Sequence, residues 1–303
     1  MDARFRSTGV EAGSTGTGMV TPMRSGSDRR GLEHLLAASR RLPADRPFVS
    51  TLVALEVVFL LLPTLIVFLV SFQPGTVIQF PPDGLSLRWY EALLHSDQYL
   101  GAFLRSLFVA TFCTVLAIPI GVLTAIGMLR YDIRFETGFQ LYFLLPFTVP
   151  LVVSGVILLI IFGRLGVLGH LWTVGLALTI INIPFMIWSV TSRVNALDPQ
   201  LESAAKNLGA EELQTFLHVT LPSLMPGIIT GSLIMFVLGL NEFLVSLIIT
   251  TPDIITLPVL IYTSIRSNIS PLVAAVASVY VVVAALAVLV ADRLVGLEQF
   301  LKS

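Results

Sequence analysis

An all-α membrane protein of six transmembrane helices is the fold class this sequence predicts, and three observations predict it. Hydrophobic residues make up 55% of the 303 positions and charged ones only 12%, with a mean hydropathy of +0.89. Ordinary soluble globular domains do not have that composition. Six apolar runs reach the roughly 20 helical residues that cross a hydrocarbon core of about 30 Å: Val49–Phe72, Gly101–Leu129, Gln140–Phe162, Leu171–Thr191, Gly227–Thr250 and Leu272–Leu294. Between the fourth and fifth lies a polar island, Asp198–Pro222, patterned like a built element and unlike a plain connecting loop.

The elements follow in order. Residues 1–47 are rich in Gly, Ser, Thr and Arg and show no apolar periodicity before Leu32, Leu35 and Leu36. They predict a disordered tail, with a short interfacial helix at Gly31–Leu42. A cleaved signal peptide places its apolar segment near the start, whereas here more than forty residues precede the first run, so the first span is expected to be retained. Residues 48–298 then form the six-span domain and residues 299–303 a short C-terminal end. Asn182 and Pro184 interrupt the fourth span, but Ile180, Ile181, Phe185, Ile187 and Trp188 keep it apolar. Pro63, Pro119, Pro146, Pro150, Pro184 and Pro226 fall inside the runs, and each removes a backbone hydrogen bond and bends its helix. Gly121, Gly155 and Gly231 are expected where helices approach closely.

In the polar island, Asp198 is a good N-cap and Pro199 a good first helical residue, while Gly209 is placed to end the helix in the left-handed conformation. Leu201, Ala204, Ala205 and Leu208 share one face of that helix. A capped apolar stripe in a solvated loop needs something packed on it. A second short helix is expected at Glu211–Val219, stopping before Pro222.

These residues resemble the cytoplasmic coupling loop of the permease subunits of bacterial ABC importers, whose EAA signature runs Glu-Ala-Ala, three residues, Gly, nine residues, Ile-x-Leu-Pro. Here Ala204 and Ala205, then Gly209, then Val219, Thr220, Leu221 and Pro222 keep that register. Val219 replaces Ile. Ser203 stands where the signature has Glu, with Glu202 one position earlier, about 100° round the helix. Further short motifs from Ser86 to Leu289 resemble the spermidine/putrescine-type permeases: Ser86-Leu-Arg-Trp-Tyr, Asn241-Glu-Phe, Thr256-Leu-Pro-Val with Ile261-Tyr, and Ser270-Pro271. The departures are Asn241, where that group commonly has an acid, and Arg105-Ser-Leu in place of Asn-Ser-Leu. Permeases for phosphonates, thiamine, ferric ion or opines share much of the pattern.

The resemblance implies a type I ABC importer permease, working with a second permease subunit, two ATP-binding subunits that hold ATP and Mg, and an extracytoplasmic solute-binding protein. Its coupling residues would be Glu202, Ser203, Ala204, Ala205, Gly209, Leu221 and Pro222. The bilayer is the remaining partner, and no nucleic acid is expected.

Charge in the short loops sets the orientation. Arg29, Arg30, Arg40, Arg41 and Arg46, then Arg130 and Arg134, then Arg193 and Lys206, then Arg293 and Lys302 fall on one side, against Arg88, Arg105, Arg164 and Arg266 on the other. Both termini and the polar island are therefore expected in the cytoplasm of a bacterial inner-membrane protein.

No phosphate-binding loop is present, because the two lysines, Lys206 and Lys302, follow Ala205 and Leu301 and not a glycine. Any ATP must bind another chain. The lone Cys113 is expected to be core packing, and the scattered His34, His95, His170 and His218 have no metal-ligand spacing. Neither a cofactor nor a metal is expected in this chain. An ion-gradient transporter would show repeated halves and several buried ionisable groups, and an intramembrane enzyme would show a catalytic motif. Neither pattern is found. The sharpest polar feature within a run is Asn241-Glu242. With the fifth span ending at Thr250, Glu242 is expected about 12 Å inside its far end, either lining the outer vestibule or pairing with a neighbouring helix.

Overall fold

The computed structural model describes residues 47–130, 138 and 148–295. The tail, the helix expected at residues 31–42, Pro146 and the C-terminal end fall outside the described residues. The chain divides into two compact units, residues 1–62 and 63–303, with the boundary inside the first helix. Among the described residues all regular structure is helical: α1 Pro47–Ser71, α2 Arg88–Leu94, α3 Asp97–Arg130, α4 Leu151–Leu165, α5 Leu171–Val194, α6 Pro199–Asn207, α7 Glu212–Thr215, a π turn Phe216–Thr220, α8 Leu221–Asn241, α9 Leu244–Ile249, a 3₁₀ turn Pro252–Ile254, α10 Leu257–Ser267 and α11 Pro271–Val295.

Five helical runs are long and apolar enough to cross a membrane, and α4 is a shorter apolar helix. Two of the predicted spans need correction. The third does not run unbroken from residue 140 to 162: the chain bends at Val149, and α4 starts after Pro150 and ends at Leu165. A residue before proline is pushed out of the α region, so Pro150 begins a helix instead of kinking one. The fifth span ends at Asn241, nine residues short of its expected end at Thr250, and α9 is a separate helix beyond the break. The near end of this span extends much further, to Glu212.

The core of the second unit is α5, wrapped by α3 and α8. Val109, Cys113 and Ala117 of α3, Val174, Leu178, Met186 and Val190 of α5, and Leu224 and Met235 of α8 are buried together. Lipid tails are as apolar as these side chains, so close van der Waals packing has to hold the helices. Met186 shows how. A Cβ on Gly121 would stand 2.3 Å from its Cγ, and one on Gly231 would stand 2.6 Å from its Sδ. The two glycines let α3 and α8 close on one methionine from either side. Gly155 serves the α4–α9 contact, with Val245 Cα 3.5 Å from its would-be Cβ.

A second cluster, Leu93, Tyr99, Ala102, Leu257, Leu260 and Val276, joins α2, α3, α10 and α11. The Ser86-Leu-Arg-Trp-Tyr motif secures the end of α1 to α2. The Ser86 backbone N–H donates to the Phe72 carbonyl at 2.6 Å, Trp89 Nε1–H donates to the Gln73 carbonyl at 2.8 Å, and the hydroxyls of Ser71 and Tyr90 are 2.6 Å apart.

Candidate functional site

Two irregular places could carry function: the polar loop between α5 and α8, and the break after α8. In the loop, Asp198 is extended (ψ 115°) and its Oδ1 accepts from the Gln200 N–H at 2.9 Å, with Pro199 at the start of α6. The helix closes on Gly209 at φ +90°, a left-handed conformation in which a Cβ costs about 1–2 kcal/mol. The Ala210 N–H then reaches back to the Ala205 carbonyl at 3.1 Å, bonding of the kind that ends helices on a glycine. The next helix starts with a reciprocal cap between Glu211 and Gln214.

The stripe on α6 stands open. Leu201 is 49% and Leu208 90% exposed, Ala204 is exposed, and Ala205 is half-buried at the stripe's inner edge. Glu202 lies further round on the inward side, half-buried, where its Oε1 accepts from the Thr220 hydroxyl at 2.5 Å. Ser203 is exposed.

The second loop helix does not stop before Pro222, as its sequence suggested. The helical path runs on from Glu212 through the π turn into α8. Proline has no N–H to give to the carbonyl four residues back, and the wider turn absorbs that loss, with the Leu221 N–H donating to the Phe216 carbonyl five residues earlier. Leu221 and Pro222 thus form the first turn of α8 and do not end a short helix.

At the other place, Glu242 is not inside a helix. It is the residue on which α8 ends, extended at ψ 124°. Its carboxylate accepts from the N–H of Val245 through both oxygens at 3.1 Å, and from that of Ser246 at 3.1 Å, so it caps the start of α9. A charged side chain in mid-span costs about 2.5–3.5 kcal/mol on insertion scales. Breaking the helix gives the carboxylate N–H partners that an unbroken helix would have used itself. Asn241 is exposed and its Nδ2 donates to the Val237 carbonyl at 2.9 Å. The Tyr280 hydroxyl of α11 donates to the Leu240 carbonyl, and the rings of Phe243 and Tyr262 lie beside the break, 4.7 Å apart.

The chain beyond the break is held by residues whose role did not show in the linear sequence. Thr256 looks like an N-cap for α10, yet its side chain makes no cap bond. Ser106, on α3, supplies the cap instead, accepting from the Leu257 N–H at 2.8 Å in a buried site. Beside it Arg105 Nε–H donates to the Ile255 carbonyl at 2.8 Å. The Arg105-Ser-Leu and Thr256-Leu-Pro motifs are therefore two halves of one joint. Spacing alone could not pair them across 150 residues. Among the described residues no group of three or more His, Cys, Asp or Glu side chains could hold a metal ion.

Five helical runs apolar enough to cross a membrane, with a capped polar element between two of them, define a polytopic membrane protein. Residues 117–297 match the binding-protein-dependent transport system inner membrane components, and the chain belongs to that family. It is 30% identical over 217 residues to the spermidine/putrescine transport system permease protein PotC of Escherichia coli (strain K12), covering 72% of this chain and 82% of the relative. It is 30% identical over 245 residues to the putrescine transport system permease protein PotI of the same strain, covering 78% and 87%. Its fold is similar to a chain in the crystal structure of a bacterial ABC transporter involved in the import of the acidic polysaccharide alginate. There the TM-score is 0.62 at 18% identity, covering 90% of this chain and 99% of that one.

Proposed function

We propose that this chain is one permease half of an ATP-driven importer whose cargo is a polyamine of the spermidine or putrescine kind. The observation that carries the cargo is the 30% identity to two polyamine permeases, held over 72% and 78% of the chain. In this reading the α6 stripe is the docking face for an ATP-binding subunit, and its exposed Leu201 and Leu208 support that. Two such subunits holding ATP and Mg, a second permease and an extracytoplasmic binding protein complete the assembly. The termini and the α6 loop lie on the ATP side, as the Arg and Lys bias implies. Residues 48–298 form the transport domain, and residues 1–47 are a tail ahead of it.

ATP supplies the free energy when it binds the partner subunits and is hydrolysed there. This chain performs no covalent step. Closure of the ATPases displaces α6, and the continuous path from Glu212 to Asn241 carries the displacement into the spans, shifting the population from inward-open to outward-open. Asn241 and Glu242 stand where α8 ends. There the carboxylate and the negative end of the helix dipole favour a cationic solute.

The test is uptake of radiolabelled spermidine and putrescine in cells lacking and then regaining the gene, with ATPase subunits captured through a tag on the chain. Uptake is expected to fall and return with the gene. Unchanged uptake of both amines with the ATPase still captured moves the cargo to another small solute, such as a phosphonate, thiamine, ferric ion or an opine. Uptake that survives ATP depletion and stops when the ion gradient collapses returns the chain to the class of secondary transporters.

A further inference from the structure

The loop helix α6 is nine residues long, and helices shorter than about 12–15 residues are marginal on their own. Most of its side chains are exposed, and Glu202 and Ala205 form its half-buried edge. A lever made this way would flex at its turns and dissipate a push before it reached a span, unless something fixed its inward side.

One contact is placed to do so. Thr220 is 2% exposed and closes the π turn at the foot of α8. Its hydroxyl donates to Glu202 Oε1 across eighteen residues of chain, so the bond joins the exposed helix to a buried point on the span. Hydrogen bonds to an ionised acceptor are roughly twice as strong as neutral ones, and shielding from water strengthens them further. π turns of this kind recur at functional sites.

We propose that Thr220 is a positioning residue, holding α6 to the foot of α8 through Glu202 so that motion of the loop is passed to the membrane helix. Glu202 then works as an acceptor inside this chain and not as a charge offered to the ATPase. The proposal rests on reading α6 as the ATPase-coupling element, and the experiment separates the two.

The full chain is purified with its ATPase subunits through a tag. Amide hydrogen exchange is followed in residues 200–208, and ATP-dependent thiol accessibility is read at a reporter cysteine in Leu244→Cys, beyond the far end of α8. Thr220→Val removes the donor at constant shape. It is expected to speed exchange in α6 about tenfold and shrink the ATP-dependent accessibility change severalfold while the ATPase stays bound. Thr220→Ser keeps a hydroxyl and restores both readings. Glu202→Gln keeps an acceptor oxygen but loses the charge assistance, so both readings fall between wild type and Glu202→Ala, which, at a half-exposed site, reproduces Thr220→Val.

Wild-type exchange and accessibility in Thr220→Val overturn the proposal. So does Glu202→Gln failing as badly as Glu202→Ala, which assigns the role to the charge. Ala205→Asp tests the underlying reading. If it strips the ATPase while Thr220→Val behaves as wild type, only the positioning role falls. If the ATPase stays fully bound in Ala205→Asp, the coupling reading falls and takes the proposal with it.

Discussion

Two helices in this molecule open on the same kind of sequence cue and are secured in opposite ways. At Asp198-Pro199 the capping side chain belongs to the helix it starts, with Asp198 accepting from the Gln200 N–H two residues on. At Thr256-Leu257-Pro258 the local candidate is unused, and Thr256 Oγ1 is buried without a hydrogen-bond partner. Ser106, 151 residues away, takes the Leu257 N–H instead. The first helix carries its cap locally, on the residue immediately before its own nine, which suits an element that moves against a partner. The second exists only when α3 is beside it, which suits a strut of the fixed body.

The largest expected effect tests the turn that closes the loop helix. Gly209 sits at φ +90° with nothing within 4 Å of where a Cβ would stand, so substitution there costs conformation and not space. Gly209→Val opposes the left-handed turn by about 1–2 kcal/mol and adds β-branching. It is expected to cut ATPase capture on the tagged chain at least tenfold while the spans insert and the melting temperature holds. A lowered melting temperature with normal capture would reverse the assignment and make the loop a structural strut.

Next comes the pair of caps. Ser106→Ala leaves the buried Leu257 N–H without its partner, which costs about 1–3 kcal/mol and should lower the detergent melting temperature of the whole chain. Asp198→Ala removes a cap worth about 0.5–2 kcal/mol, but is expected to speed hydrogen exchange only within residues 200–208. Equal global destabilisation by both variants would erase the distinction between a local and a tertiary cap.

That distinction also explains what could be read from the linear sequence. Capping at Asp198, the turn at Gly209, the register of Ala204 and Ala205 and four of the six runs depend on neighbours in sequence, and their signals survive in one dimension. The end of α8 does not. Residues 227–250 are apolar almost throughout, and only Asn241-Glu242 marks the place where the helix stops. Taken as a charge inside a span, Glu242 invited a solute. In the fold its carboxylate is already engaged by the N–H groups of Val245 and Ser246. The break at Val149–Pro150 was hidden by apolar composition in the same way, although Pro150 itself was in plain view. Thr220 carries no mark of its role in one dimension, because its partner Glu202 lies eighteen residues back along the chain.

Glu242 has both a capping role and a charge, and a smaller effect separates them. Glu242→Ala removes the acceptor and should destabilise by about 0.5–2 kcal/mol, as lost caps do. Glu242→Gln keeps an oxygen for the cap and loses the charge, so its melting temperature should stay close to wild type. Spermidine uptake at limiting concentration then reads the charge alone. A severalfold fall in Glu242→Gln supports attraction of a cation at the end of α8. Wild-type uptake leaves Glu242 as a cap and nothing more.

The smallest expected effect concerns Arg105, which stands where the spermidine/putrescine-type permeases usually have Asn. Its Nε–H donates to the Ile255 carbonyl, two residues before the Leu257 N–H that Ser106 caps. Asn is shorter, but its amide is also a donor, and the Ser106 bond persists in the variant. A single hydrogen bond of this kind contributes about 0.5–1.5 kcal/mol net. Arg105→Asn is therefore expected to lower the melting temperature by less than Ser106→Ala, and Arg105→Ala by slightly more than Arg105→Asn. In the double variant Arg105→Ala with Ser106→Ala the losses should fall short of their sum, because both bonds hold the same few residues ahead of α10 and contacts that share a backbone segment do not add. Full additivity would show Arg105 acting on Ile255 independently of the cap, and the joint between α3 and α10 would then be two separate contacts and not one.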